Sequence, residues 1–222
     1  MIVMDRNKGS KLQMQLLSSK YSYLLEDKVG EKVKWLCPVN GKEVQLNNKN
    51  IMDELSIPND AFKGFWPTRQ PQWDGIAKGI DSNTIYLIEG KAHISEIGSG
   101  NKLSKDASDK QKENYRIKCD AIRSVMKSYD VSVNDNIWLH KYYQISNRIV
   151  FLRKLKEYGK SVRLVFVNFY NDPYWISKGR NASESEWSLK YERIFKEMGN
   201  IESQLSDDGV NIICIDVNKM PQ

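Results

Sequence analysis

The sequence is short of the features that would settle a class at once. It has only three cysteines, Cys37, Cys119 and Cys214, far apart and odd in number. With no Cys-x-x-Cys pair, a structural zinc site is not expected. The usage suits a reducing compartment, so a cytoplasmic protein is expected. Cys214 lies within Ile212-Ile213-Cys214-Ile215 and reads as a small apolar packing residue. No apolar run approaches the roughly 20 residues of a membrane span, so no membrane partner is expected. The opening Met1-Ile2-Val3-Met4-Asp5-Arg6 has too short an apolar stretch for a signal peptide. No repeat or low-complexity tract occurs, and no helix-turn-helix or zinc module offers base readout. Nothing marks a domain boundary, so residues 1–222 read as one domain, with 1–30 as an N-terminal helical extension.

What is present is enough for a core. Apolar residues make up 40% of the chain, which argues against general disorder. The net charge of +6 suits a polyanionic partner, though many proteins without one share such an excess. Its distribution is more pointed: from Lys141 to Arg163 there are seven Lys and Arg against the single acid Glu157.

The most informative stretch is Gln72-Trp73-Asp74-Gly75-Ile76-Ala77, a turn over Gly79-Ile80-Asp81-Ser82-Asn83, then Ile85-Tyr86-Leu87-Ile88-Glu89-Gly90-Lys91-Ala92-His93. Two apolar runs around a turn read as an antiparallel hairpin. A turn centred between Asp81 and Ser82 sets Lys78 against Ile85, Ile76 against Leu87 and Asp74 against Glu89. Opposed side chains in such a pair lie roughly 4.5–5.5 Å apart at Cβ, so two carboxylates there repel unless a cation or proton lies between them. Lys91, two residues beyond Glu89, projects from the same strand face. Ile85 to Ile88 is apolar on both faces, which predicts a covered, central strand.

An acid, a hairpin turn and Glu-x-Lys resemble the PD-(D/E)xK nucleases, the restriction-endonuclease-like superfamily. Asp74, Glu89 and Lys91 match its three core positions, and Trp73 stands where the motif's name has proline. Phe65-Trp66-Pro67, Gln72-Trp73-Asp74, Glu89-Gly90-Lys91-Ala92-His93 and Tyr143-Gln144-Ile145-Ser146-Asn147-Arg148 further resemble an uncharacterised bacterial group within it. The resemblance covers most of the chain after about Val33. It implies an α/β, three-layer fold, a central mixed sheet with helices on both faces. It also implies a further metal-binding acid from the helix before the hairpin, with Glu43, Asp53 and Glu54 as candidates. Many relatives dimerise, but no coiled coil or long apolar stripe marks a dimer face here.

The remaining elements follow from pattern. A helix is expected over residues 12–25, a strand over 33–39 stopped by Pro38, and a helical segment within 42–57 closed by Pro58. Residues 62–71, with two prolines and a glycine, are irregular; Phe62, Phe65 and Trp66 either stack on bases or pack a loop over the sheet, the second being favoured. Helices are expected over 104–129 and 137–158, the second placing His140, Gln144, Asn147 and Arg148 near one face. A strand over 162–170 should return parallel to a neighbour. The loop 171–181, with Tyr174, Trp175, Lys178 and Arg180, is a candidate nucleic-acid edge. Ser183 and Glu186 form a capping box that opens a helix ended by Gly199 and Asn200, and residues 210–217 form a last strand.

The chemistry that these residues suit is Mg²⁺-dependent hydrolysis of DNA, with Mn²⁺ able to substitute. Asp74, Glu89 and the Gly90 carbonyl would hold the ion as hard oxygen ligands, and Lys91 would position a water or meet developing charge. Gln144 and Asn147 would hold a phosphate or water, and Arg148 would clamp a phosphate; alternatively the two amides satisfy backbone groups and Arg148 pairs with an acid. His93 is a phosphate contact or a packing residue, and Glu96 a metal ligand or, the favoured reading, an exposed acid. The basic segment 141–163 would track a nucleic-acid backbone. Two other classes remain: a nucleic-acid-binding module without catalysis, and an interaction domain in which Lys91 merely neutralises the two acids.

Overall fold

A computed structural model describes residues 8–38, 41–98 and 100–221; the first seven residues of the expected N-terminal extension lie outside the described residues. The helices are α1 (Gly9–Ser19), α2 (Tyr23–Val29), α3 (Lys49–Glu54), α4 (Asp109–Ser128), α5 (Tyr143–Glu157), α6 (Pro173–Ile176), α7 (Glu184–Glu197) and α8 (Glu202–Asp207). The strands are β1 (Val33–Cys37), β2 (Gly75–Gly79), β3 (Ile85–Lys91), β4 (Val162–Tyr170) and β5 (Val210–Asp216). They form one mixed sheet in the order β1-β2-β3-β4-β5, with β1, β2 and β3 antiparallel and β3, β4 and β5 parallel.

The hairpin has the expected register, with Ile76 opposite Leu87 and Lys78 opposite Ile85. The polar turn and the apolar pattern together leave no other solution that buries both strands. β3 is buried along its whole length, as its unbroken apolar run requires at the centre of a covered sheet. The β3–β4 connection runs through α4 and α5, long enough for the crossover that a parallel pair needs.

Period-two alternation sends β3 side chains to two different cores. Ile85 and Leu87 join Ile76, Leu164 and Phe166 under α3, α4, α5 and α7. Tyr86 and Ile88 join Ala77, Val165 and Val167 under α1 and α2 through Met14, Leu17 and Leu25. Helices thus cover both faces. Residues 9–29, expected as an extension, are one of the three layers. The expected single helix over 12–25 is two, because the chain turns between Lys20 and Ser22.

Two helix starts are fixed by capping boxes, Ser108 with Gln111 on α4 and Ser183 with Glu186 on α7. The expected continuous helix over 137–158 is broken: Ile137–Lys141 is a single π-helical turn, and α5 starts only at Tyr143. The short α8 has no sequence signal strong enough to expect it. All three cysteines are buried thiols. Among the described residues no helix is long and apolar enough to cross a membrane.

Candidate active site

Glu89 and Lys91 leave the C-terminal half of β3 on the face covered by α5, and Asp74 stands just before β2 on that same face as Ile76. The three tips meet at one cleft of about 320 Å³, which Gly90, Gln144, Asn147 and Arg148 also line. Ser10 of α1, Glu43 and Gln72 complete much of its rim. Glu43 arrives there because Val44 pairs as an isolated antiparallel bridge with Trp73, next to Asp74. Of the further acids, Asp53 and Glu54 stay outside: Asp53 is exposed, and Glu54 pairs with Lys34 at 2.8 Å. Glu96 faces His93 at 3.6 Å instead.

Glu89 is 1% exposed and fully engaged. Its Oε1 accepts from Lys91 Nζ and from Gln144 Nε2 at 2.6 Å. Its Oε2 accepts from Arg148 Nε at 2.7 Å and meets Arg148 Nη2 at 2.6 Å. Burial alone pushes the Glu89 carboxyl up, but the charges of Arg148 and Lys91 and their hydrogen bonds overturn that and hold it below the ordinary range. Burial likewise disfavours the Lys91 ammonium, and the charges of Glu89 and Asp74 more than restore it, so Lys91 stays protonated.

Asp74 is the contrasting acid. Its Oδ2 accepts from the Gly90 N–H at 2.9 Å. Burial first and the Glu89 charge second push its carboxyl up to about 7, against the pull of Lys91. Two carboxylates in one site thus stand apart, one ionised and one holding its proton until near neutrality.

Arg148 pairs with an acid, Glu89, the alternative to a phosphate clamp. It is 4% exposed, its Nη2 also donates to the Gln72 carbonyl at 2.7 Å, its Nη1 donates to Asn147 Oδ1 at 3.2 Å, and its guanidinium lies 4.4 Å over the Trp73 ring. It and Gln144, one helical turn apart on α5, position Glu89. Asn147 lines the cleft as expected. His140 does not join that face; the π-helical turn swings it to the Asn101 carbonyl, at 2.7 Å.

Other expected contacts go elsewhere. His93 Nδ1 meets Ser95 Oγ at 2.6 Å and its ring packs on Trp175, tilted by 59°, so it is a packing residue away from the cleft. Phe62, Phe65 and Trp66 pack around Phe151 of α5 with centroids 5.2–5.7 Å away, the favoured reading. In the basic segment Lys141 pairs with Glu197, Arg148 with Glu89, Arg153 and Lys156 with Asp208, and Lys154 with Glu157. That segment is largely neutralised and is not an open cationic track.

Gly90 is explained by packing. A Cβ there would lie 2.6 Å from Met14 Cγ and 2.9 Å from its Sδ, so the middle position of Glu-x-Lys is kept bare for α1. Neither this nor the place of Ser10 carries a local signal, because both depend on a helix far away in the chain.

The donor set suits a hard divalent cation in one respect: Asp74 and Glu89 bring carboxyl oxygens to one cleft. It is not a preformed cage. The acceptor positions of Glu89 are filled, and among the described residues no group of three or more His, Cys, Asp and Glu gathers as a metal shell. Holding an ion at Glu89 requires Lys91 or Gln144 to release Oε1. Comparison with protein-family models, with curated proteins and with solved structures finds no match.

Proposed function

We propose that the chain is a metal-dependent nuclease that hydrolyses DNA phosphodiester bonds, on a fold of the restriction-endonuclease type. The observation that carries this reading is the meeting of Asp74, Glu89 and Lys91 at one cleft, where burial raises the Asp74 carboxyl while Arg148 and Lys91 lower that of Glu89. A binding or scaffolding domain gains nothing from burying two opposed acids, which cost stability unless used. The order of the sheet, an antiparallel hairpin followed by a parallel crossover strand, also agrees with it.

A divalent cation held by Asp74 and Glu89, with the Gly90 carbonyl at the same edge, supplies Lewis-acid polarisation of a phosphate and a lowered pKa for a bound water. Lys91 brings an ammonium to that point, where it orients the attacking oxygen or meets the charge that develops in the transition state. Its charge is secured by Glu89 and Asp74. Arg148 and Gln144 fix the Glu89 carboxylate so that little reorganisation is left to the reaction. Glu43, on the rim, adds negative charge beside Asp74.

The test is cleavage of plasmid, linear duplex and single-stranded DNA with Mg²⁺ or Mn²⁺. Wild type should cut at least one of them, and Lys91→Ala should be slower by about 10²–10³-fold. Equal inertness of both proteins on every substrate sinks the reading.

One observation favours a second reading, a nucleic-acid-binding module without catalysis: every acceptor position of Glu89 is satisfied by this chain's own donors. Thermal melts with and without Mg²⁺ separate the two. A metal site at 100 times its Kd gains about 2.7 kcal/mol, and a closed ion cluster gains nothing.

A further inference from the structure

A cavity of about 690 Å³ lies beside the candidate active cleft and is lined by Lys8, Gly9, Ser10, Lys11, Glu96, Tyr174 and Trp175. Ser10 lines both, so the two spaces adjoin at the start of α1. The second cavity has the size of a small-molecule site, about 300–1,000 Å³.

Its walls differ from those of the cleft. Tyr174 and Trp175 form an aromatic corner, with ring centroids 4.8 Å apart at 75°. The Trp175 Nε1–H is buried with no hydrogen-bond acceptor among the described residues. It faces the start of α1, since a Cβ added at Gly9 would lie 3.9 Å from it. Lys8, exposed, reaches the same corner, 4.8 Å over the Tyr174 ring and 3.2 Å from its hydroxyl. Lys11 stands on the side towards the cleft, 3.9 Å from Glu43. Among the described residues the acid of the wall, Glu96, is directed at His93 and the Ala92 N–H. The cavity therefore presents aromatic surface, the Lys8 ammonium and a hydroxyl, while the indole N–H is closed off against the start of α1.

We propose that this cavity holds one unpaired nucleotide of the nucleic-acid strand that crosses the cleft. Its base lies against Tyr174 and Trp175, and its phosphate lies at Ser10 and Lys8. A base in a duplex is stacked on its neighbours and cannot reach the aromatic corner, so the subsite selects single strands or frayed ends. The identity of the polyanion rests on the nucleic-acid reading above, but the subsite does not require that the chain cut.

Binding of a short fluorescent oligothymidylate, followed by anisotropy in EDTA so that nothing is cleaved, tests this. Stacking of one base is worth about 1–3 kcal/mol, so Trp175→Ala and Tyr174→Ala should each weaken binding by about 5- to 150-fold. An oligomer of the same length with abasic positions should bind wild type more weakly and be insensitive to either change. Lys8→Glu, at an exposed position that does not threaten the fold, should weaken both oligomers, and Trp175→Phe should keep most of the stacking term. Thymidylate binding that ignores Tyr174, Trp175 and Lys8 overturns the subsite, as does binding equal for a duplex of the same length. Aromatic-dependent binding without cleavage in Mg²⁺ leaves the subsite standing and removes the nuclease; cleavage with aromatic-independent binding does the reverse.

Discussion

A carboxylate 1% exposed stays ionised only because Arg148, Lys91 and Gln144 meet it. Removing one partner of such a buried set leaves an uncompensated charge, worth about 3–5 kcal/mol. Arg148→Ala should therefore lower Tm by about 6–20 °C, at about 2–4 °C per kcal/mol. Arg148→Lys should recover only part, since a single ammonium replaces neither the double grip on Oε2 nor the contact with Trp73. A melt within 2 °C of wild type would contradict the arrangement. Asp74 predicts the opposite sign. Its folded carboxyl titrates at about 7, above its ordinary value of 3.8. The folded state thus binds the proton more tightly, so this group's stabilisation is complete below about 4 and is lost as pH rises through about 7. In EDTA the wild-type Tm should fall over that window, and Asp74→Asn should flatten the profile and melt higher at pH 8. Asp74, Glu89 and Lys91 were legible because strand period and hairpin register follow from local sequence. The duty of Arg148 was legible only as one of two alternatives: helix spacing tells which face a residue takes, not which acid it meets, and Glu89 lies 59 positions away.

Between elements, the closest fit is that of α1 on the hairpin. Met14 sits over Gly75 and Gly90, within 3.0 Å of where a Cβ at either would stand. Gly90→Ala should cost about 1–3 kcal/mol by overpacking, although the backbone there is ordinary strand. Met14→Ala alone should cost about 2–5 kcal/mol as a cavity. Together they should cost less than the sum, because the new methyl enters the space that Met14 leaves. Additive chemical-denaturation energies would show that α1 does not rest on Gly90. Strands and capped helices were readable because each carries its own signal, Val162–Tyr170 in its β-branched run and α7 in its Ser183–Glu186 box. The π-helical turn at Ile137–Lys141 was not, since a helix-period pattern continues through it and only the contacts of Trp138 and His140 fix the change.

The whole molecule depends on which segments count as layers. α1 buries Leu12, Met14, Leu16 and Leu17, all at 4% exposure or less, and also Gln13 and Gln15. Their amide nitrogens reach across the fold, Gln13 Nε2 to Asp172 at 2.9 Å and Gln15 Nε2 to the Gly41 carbonyl at 2.9 Å, while both Oε1 atoms are buried without a donor among the described residues. An amphipathic pattern cannot tell a buried amide from a solvated one, so the sequence pattern hides how far this helix is covered. Four large apolar side chains at about 1.5–3 kcal/mol each amount to about 6–12 kcal/mol, comparable to the whole stability of a domain, about 5–15 kcal/mol. A chain begun at Tyr21 should therefore lose cooperative folding and take on dye-binding, molten character, with near-UV circular dichroism absent and far-UV signal largely kept. The same truncation would strip Ser10 from the cleft and the adjoining cavity, so neither site can be studied on a shortened chain. A truncated protein with native near-UV signal and a cooperative melt within a few degrees of wild type would return residues 9–19 to the status of an appendage, and both sites would then have to be built from the sheet and α5 alone.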